Sequence, residues 1–249
     1  MPEPPELSVI IPAYNEERRL PETLAAVCAW LDEAGCDAEV IVVDDGSTDG
    51  TAGVIARASE HHPRVVPLVN PVNLGKGHAV RTGVARATGR TIAFFDADLS
   101  YDLGYLAEAR RRLGAGADLV IGARDLVPDD ARRAYAPSRR LASRAFNALV
   151  DALLDLGIPD TQCGFKAFRA EVARPLFAAL TLEGFGFDVE LLFLARRWGL
   201  RLERMPVAMR DRAGSSVSLM RHGARMARDV WTIRRRGARG RYPDRPTGL

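Results

Sequence analysis

An α/β fold with a mostly parallel central sheet and helices on both faces is what this sequence predicts, and three observations predict it. Short apolar runs of strand length alternate with longer stretches of helical period. The runs end in turns rich in Asp, Asn, Gly and Ser. The chain has 249 residues, 47% of them hydrophobic, enough for one large core.

The elements follow in order. Leu7 to Ile11 is a β-rich run, and Pro12-Ala13-Tyr14-Asn15-Glu16-Glu17 leads from it into a helix with Leu20, Leu24, Val27 and Leu31 on one face. Pro21 suits that helix's first turn. Glu39 to Val43 is the second strand, and Asp44-Asp45-Gly46-Ser47-Thr48-Asp49-Gly50-Thr51 supplies a turn and an N-cap for the next helix. Val65 to Val69 leads through Asn73-Leu74-Gly75-Lys76-Gly77 into a helix reaching Ala87. Thr91 to Phe95 is a buried strand that runs into Asp96-Ala97-Asp98, and Asp118 to Ile121 precedes Gly122-Ala123-Arg124. A long helix is predicted over Ser138 to Leu156, then a loop from Gly157 to Phe168, a helix from Gly186 to Trp198 and a strand from Arg201 to Pro206. Residues 1–216 read as one α/β domain. Residues 217–249 read as an amphipathic basic helix, Val217 to Arg236, with a frayed Arg-, Gly- and Pro-rich tail after Gly237.

Composition narrows the class. The net charge is +3, and Lys76 and Lys166 are the only lysines in a chain that otherwise writes arginine. That surplus is weak ground for a nucleic-acid partner, and none is expected. Cys28, Cys36 and Cys163 lack CxxC spacing, which argues against a disulfide framework or a zinc site. No signal peptide or membrane span of about 20 apolar residues is present, so a cytoplasmic protein is expected, at the cytoplasmic face of a membrane if lipid is its partner.

The acidic pair carries the chemistry. In an extended chain residues i and i+2 share a side, so Asp96 and Asp98 are expected to converge beyond the strand. At roughly 5 Å and an effective dielectric of about 20, their repulsion is on the order of 3 kcal/mol. Mg²⁺ or Mn²⁺ reverses that sign, which points to a metal held beside an anion. In sheets of this kind ligands sit beyond the carboxyl ends of the strands, where Tyr14-Asn15-Glu16 and Asp44-Asp45 also lie. Asp44 and Asp45 can accept hydrogen bonds from a ribose or a base, and Lys76 can pair with phosphate. Neither the Walker loop nor the dinucleotide fingerprint is present.

Taken together, Ser8 to Glu16, Val42 to Asp49, Asn73 to Gly77 and Asp96-Ala97-Asp98 closely resemble the family 2 glycosyltransferases of the GT-A fold, over roughly residues 7 to 220. The resemblance implies that Pro12, Tyr14, Glu16, Asp44, Asp45, Lys76 and Asp96 bind a nucleotide sugar. Asp96 and Asp98 would hold the metal that bridges its diphosphate. Gly122-Ala123-Arg124, Ser138-Arg139, Asp160 to Lys166 and Gly186 to Glu190 look like the polyprenyl-phosphate sugar synthases, the dolichyl-phosphate β-glucosyltransferases before the mannose synthases. That implies inverting transfer of a hexose, UDP-glucose favoured over GDP-mannose as donor, to a polyprenyl phosphate. Asp98, Arg124 and Asp188 are then the catalytic candidates, and Arg139, Arg210, Arg212 and Ser215 the candidates for acceptor phosphate or diphosphate. A polyprenyl phosphate, with a second pKa of about 6, is already anionic and needs no strong base. A sugar hydroxyl would need one, and Asp188 is the best placed by motif.

The basic C-terminal segment, with Trp231 on an apolar stripe, suits an anionic membrane surface, although such stripes usually pack on a core. Two other classes stay open at this level. Asp96 to Ser100 partly imitates the Asp-x-Asp-x-Thr of haloacid dehalogenase phosphatases, but that motif follows their first strand, and here several strand-helix units precede it. A sugar-nucleotide sensor or scaffold is the third reading, and the intact acidic pair speaks against it.

Overall fold

The computed structural model describes residues 3–127, 137–209 and 219–249, apart from the side chains of residues 137–142 and 219–222. In chain order the elements are β1 (Leu7–Ala13), α1 (Leu20–Glu33), β2 (Ala38–Asp44), α2 (Thr51–His61), β3 (Val65–Val69), α3 (Lys76–Arg86), β4 (Thr91–Phe94) and α4 (Gly104–Gly114). They continue with β5 (Leu119–Ala123), a 3₁₀ turn (Arg124–Leu126), α5 (Pro137–Leu154), β6 (Lys166–Arg169), α6 (Ala170–Ala178), α7 (Phe187–Arg197), β7 (Leu202–Pro206) and α8 (Leu219–Ala238).

The strands form one sheet in the order β3-β2-β1-β4-β6-β5-β7. β1 lies between β2 and β4 and is parallel to both, with Leu7 opposite Ala38 on one side and Thr91 on the other. Such strands are covered on both faces, which is why they read as unbroken Val and Ile runs. Successive residues of β1 serve opposite faces. Ile10 joins the core shared with α3, α5, α6, α7 and α8, while Val9 and Ile11 join the core shared with α1, α2 and α4.

Two elements in the second half differ from the sequence expectation. The predicted loop Gly157 to Phe168 ends inside a strand, β6, which runs antiparallel between β4 and β5 with Ala167 opposite both Ala93 and Val120. Its residues, Lys166-Ala167-Phe168-Arg169, offer no apolar run to read, because Lys166 is buried with its charge matched by a partner 22 residues away. The short helix α6 follows directly, with Pro175 inside it, where a helical pattern is hardest to see.

The C-terminal segment is also bound more firmly than its sequence suggests. Met226, Val230 and Ile233 of α8 are buried, and the latter two belong to the same core as Phe94 and Phe187. Full burial of a Val or Ile side chain stabilises by roughly 1.5–3 kcal/mol, enough to commit the apolar stripe to the protein. Among the described side chains of that helix, Trp231 stands out as a large exposed apolar one, at 57%. Beyond α8 the predicted frayed tail folds back, with Tyr242 buried and the Trp198 indole N–H donating to the Pro243 carbonyl at 3.0 Å. Among the described residues no helix is long and apolar enough to cross a membrane.

Candidate active site

Because β1, β2 and β4 run parallel, the loops after them open on one rim of the sheet. The first two loops are stitched together. Asn15 takes the left-handed conformation (φ 55°), which Asn tolerates better than most residues, and its Oδ1 accepts the Thr48 N–H at 2.9 Å. Its own N–H donates to Ser47 Oγ at 3.0 Å, and Glu16 N–H donates to Thr51 Oγ1 at 2.8 Å. Asp49, next to the N-cap position rather than at it, accepts Thr51 N–H at 3.0 Å and so starts α2.

The two acids of the second loop have different work. Asp44 is buried and accepts Ser47 N–H through Oδ1 at 2.9 Å, closing its own turn. Asp45 reaches the next loop instead, accepting Asn70 Nδ2 (2.8 Å) and Leu74 N–H (3.2 Å) on Oδ1 and Gly75 N–H on Oδ2 (2.7 Å). Asp45 thereby holds the loop that presents Lys76. Tyr14 is exposed on the rim and Pro12 is half-buried beside it.

β4 stops at Phe94, so Asp96 and Asp98 do not stand on an extended strand as expected. They occupy a turn in which the Asp96 carbonyl accepts the Leu99 N–H at 3.2 Å and Leu99 is left-handed (φ 48°). Asp98 Oδ1 accepts Ser100 N–H at 3.1 Å. Asp96 is paired with Lys76, Nζ to Oδ1 2.5 Å, and a Cβ at Gly164 would collide with its other oxygen. A side chain at that position would have to displace the Asp96 carboxylate. Burial opposes the charge of Lys76, yet Asp96, Asp188 and Asp98 together hold its pKa above the usual lysine value. Glu16 belongs to the same field. Burial raises its pKa against the pull of Arg19, whose fork grips it at 2.6 and 2.8 Å, and both Asp98 and Asp96 push it further up.

The second half of the chain supplies the floor. Lys166 Nζ donates to Asp188 Oδ1 at 2.6 Å and to the Cys163 carbonyl at 2.8 Å, with the Phe94 ring 5.6 Å away. Both side chains of this pair are buried. Asp188 is thus a counter-ion locked to a lysine, not the open base that its motif suggested. Arg124 is likewise committed. Its Nε and Nη2 form a fork on Asp160 at 2.8 and 2.6 Å, and its N–H donates to the same carboxylate at 2.9 Å. Burial raises the Asp160 pKa and these bonds more than reverse it, leaving it low. Arg124 therefore positions the 160–164 segment rather than offering a free fork to phosphate. Arg210, Arg212 and Ser215 lie outside the described residues, as does the side chain of Arg139.

Sequence reasoning passed over Lys166, Asp160 and Gly164 as individual site residues. One signal could have found the first: both lysines of an arginine-rich chain point into this cluster. Gln162 adds a buried Nε2 without a partner among the described residues in the same segment. As for metal, no group of three or more His, Cys, Asp or Glu side chains among the described residues is arranged to hold an ion. Two half-buried carboxylates on one rim suit a hard cation that brings further oxygen ligands of its own, such as those of a diphosphate. No cation of the protein lies within pairing distance of Asp98 among the described residues.

Comparison with known proteins adds the following. Residues 8–177 match the pattern of "Glycosyl transferase family 2". The dolichyl-phosphate beta-glucosyltransferase of Drosophila melanogaster is 38% identical over 247 residues, covering 92% of this chain and 74% of that protein. Its Homo sapiens counterpart is 32% identical over 255 residues, covering 95% and 77%. Among solved structures, glucosyl-3-phosphoglycerate synthase of Mycobacterium tuberculosis in complex with UDP superposes with a TM-score of 0.67 at 25% identity, over 98% of this chain and 83% of that one. The same synthase with Mn²⁺, UDP and phosphoglyceric acid gives 0.64 at 24% identity, over 92% and 77%, and shares the fold.

Proposed function

The chain belongs to glycosyl transferase family 2, and from that premise we propose that it moves glucose from UDP-glucose to the phosphate of a polyprenyl lipid of the dolichyl type. The likeness to dolichyl-phosphate glucosyltransferases over nine-tenths of the chain carries this reading. The site agrees with it. Pro12, Tyr14, Glu16 and Asp44 surround the place for the nucleoside, and Lys76 faces the diphosphate. Asp96 and Asp98 would hold Mg²⁺ or Mn²⁺, which when bound supplies Lewis-acid stabilisation of the leaving diphosphate.

What the chain's own residues do follows from charge. A diphosphate that leaves the anomeric carbon gathers negative charge, and Lys76, kept cationic by three carboxylates, is preset to meet it. The family resemblance makes the displacement a single inverting step. The acceptor must approach from the opposite face of the sugar with an anionic oxygen. A phosphate monoester already has one at neutral pH. The pairing of Asp188 with Lys166 favours this acceptor over a sugar hydroxyl, since a carboxylate held by a buried ammonium is not free to face a hydroxyl. Arg139, Arg210, Arg212 and Ser215 are proposed to hold the acceptor phosphate. The exposed Trp231, with Arg228, Arg234 and Arg235 exposed on the same helix, is proposed to rest at the lipid surface where that acceptor lives. The phosphatase alternative falls with the family.

A panel of nucleotide sugars with Mg²⁺ or Mn²⁺, offered polyprenyl phosphate, phosphoglyceric acid or no acceptor and read as nucleoside diphosphate release, tests this reading. UDP release from UDP-glucose that depends on polyprenyl phosphate is the expected result. Release only with phosphoglyceric acid would overturn the lipid assignment.

A further inference from the structure

The last nine residues close against the helix that follows the site, and their contacts run on toward the donor loop. We propose that this C-terminal segment is a strut of the donor site, with Tyr242 acting through Glu190 as a positioning residue for Lys76. The inference rests on the reading of Lys76 as the diphosphate's cation.

The path is continuous. Tyr242 is 4% exposed, its ring lies 5.5 Å from that of Phe193 on α7, and its hydroxyl donates to Glu190 Oε1 at 2.7 Å. Just after Tyr242 the segment is pinned to the end of α7, by Trp198 Nε1 on the Pro243 carbonyl and by Arg245 Nη1 on the Trp198 carbonyl at 3.1 Å. Glu190 is fully buried, and its remaining donors all come from one loop. Thr181 N–H (2.9 Å) and Leu182 N–H (2.8 Å) bond Oε2, and Thr181 Oγ1 bonds Oε1 at 2.5 Å. A buried carboxylate fixes a loop only as well as its donors are complete, and the tyrosine hydroxyl is the donor supplied from outside that loop.

The loop in turn sets the start of α3. The Glu183 carbonyl accepts His78 N–H at 3.1 Å. The glycines on either side of Lys76 let the loop come this close: a Cβ on Gly75 would lie 2.6 Å from Glu183 O, and one on Gly77 2.9 Å from both Glu183 O and Leu182 O. Gly75 also needs its positive φ of 105°. Lys76 is therefore clamped between two points of backbone contact, and its ammonium meets Asp96 at 2.5 Å. A shift of residues 182–184 cannot be absorbed locally. It moves Lys76.

The test compares binding of UDP and of uridine, each with Mg²⁺, by calorimetry on the wild-type protein, on Tyr242→Phe and on a chain ending at Gly240, with folding checked by circular dichroism. Tyr242→Phe keeps the ring packing and removes only the donor. The expected result is UDP binding weaker by roughly 3- to 30-fold in both variants, the span typical of remote coupling, with uridine binding unchanged because uridine has no diphosphate for Lys76. On a Lys76→Met background the effect of Tyr242→Phe should vanish, as a double-mutant cycle requires of a residue acting through another. Undiminished UDP affinity in folded Tyr242→Phe overturns the strut. Equal loss for UDP and uridine also overturns it, since that marks a general loosening. Failure of the wild-type protein to bind UDP would strike the donor reading itself, and shows before any variant is made.

Discussion

Lys76 and Lys166 illustrate how residue chemistry built this site. A lysine ammonium is compact and can meet a single carboxylate oxygen in a closed space, where the wider guanidinium fork demands a planar partner. Lys166 does so at a buried position against Asp188, and Arg124 shows the other solution, a fork on Asp160. Removing one member of a buried pair leaves an uncompensated charge and costs about 3–5 kcal/mol. Asp188→Asn should therefore lower stability in denaturant titrations by that order, and Asp188→Asn with Lys166→Met should restore much of it. If instead the double variant is as unstable as the single one while activity persists in both, the pair is not what holds the floor. Asp98 is the contrasting case. Among the described residues it bonds only a neighbouring N–H on the rim, so Asp98→Ala should leave melting nearly unchanged while turnover falls by about 10²-fold or more. Glu16 gives a pH signature. Its folded pKa is raised above 4.5, first by burial, so the folded protein holds that proton more tightly than the unfolded chain. The associated stability is fully present below about pH 4.5 and is lost as pH rises through the folded pKa. Glu16→Gln should accordingly compare best with the wild type above that pKa, the advantage shrinking as acid is added, while nucleotide binding weakens at neutral pH. A margin independent of pH would reject the assignment. The acids of this rim were legible from the sequence as types in a pattern. Which of them face a ligand was not, because Asp45, Asp160 and Asp188 find partners 25, 36 and 22 residues away.

Elements divide the same way. The parallel strands were legible because burial on both faces leaves runs such as Val40-Ile41-Val42-Val43, and the helices of the first half because their buried positions keep period. β6 was not, since a strand with a buried lysine at one end and an arginine at the other carries no apolar signature. α8 was legible as amphipathic but not as to what its stripe meets. Apolar periodicity is the same for a helix on a core and a helix on lipid, and only packing separates them. The structure gives Val230 and Ile233 to the core and leaves Trp231 outside. Two substitutions one turn of argument apart then have opposite outcomes. Ile233→Ala opens a cavity and should cost about 2–4 kcal/mol in unfolding experiments. Trp231→Ala should change stability by no more than about 0.5 kcal/mol and reduce sedimentation with vesicles containing anionic lipid. Vesicle binding that survives Trp231→Ala together with charge reversal at Arg228 and Arg235 would show that this face is not the contact.

At the scale of the molecule, one sheet lies between two cores, and the loops of the site rise from β1, β2, β3 and β4 and return from α7. A ligand on that rim meets segments that belong to both cores, so its binding stabilises them together. Its binding energy should therefore appear in global unfolding rather than in a local event. A ligand specific to the folded state at about 100 times its Kd adds about 2.7 kcal/mol. For chains of about 150–250 residues each kcal/mol moves the melting temperature by roughly 2–4 °C, which sets an expected rise of roughly 5–10 °C for UDP-glucose with Mg²⁺ at that excess. Chelation of the metal should remove much of the rise at the same nucleotide concentration, since Asp96 and Asp98 then repel the diphosphate they would otherwise hold through the cation. Asp98→Ala should make the rise insensitive to the chelator, because the variant has lost the metal and part of the repulsion together. A shift that is the same with Mg²⁺ and with chelator in the wild-type protein would mean that the nucleotide is held without the acidic pair, and the metal role proposed for Asp96 and Asp98 would have to be given up.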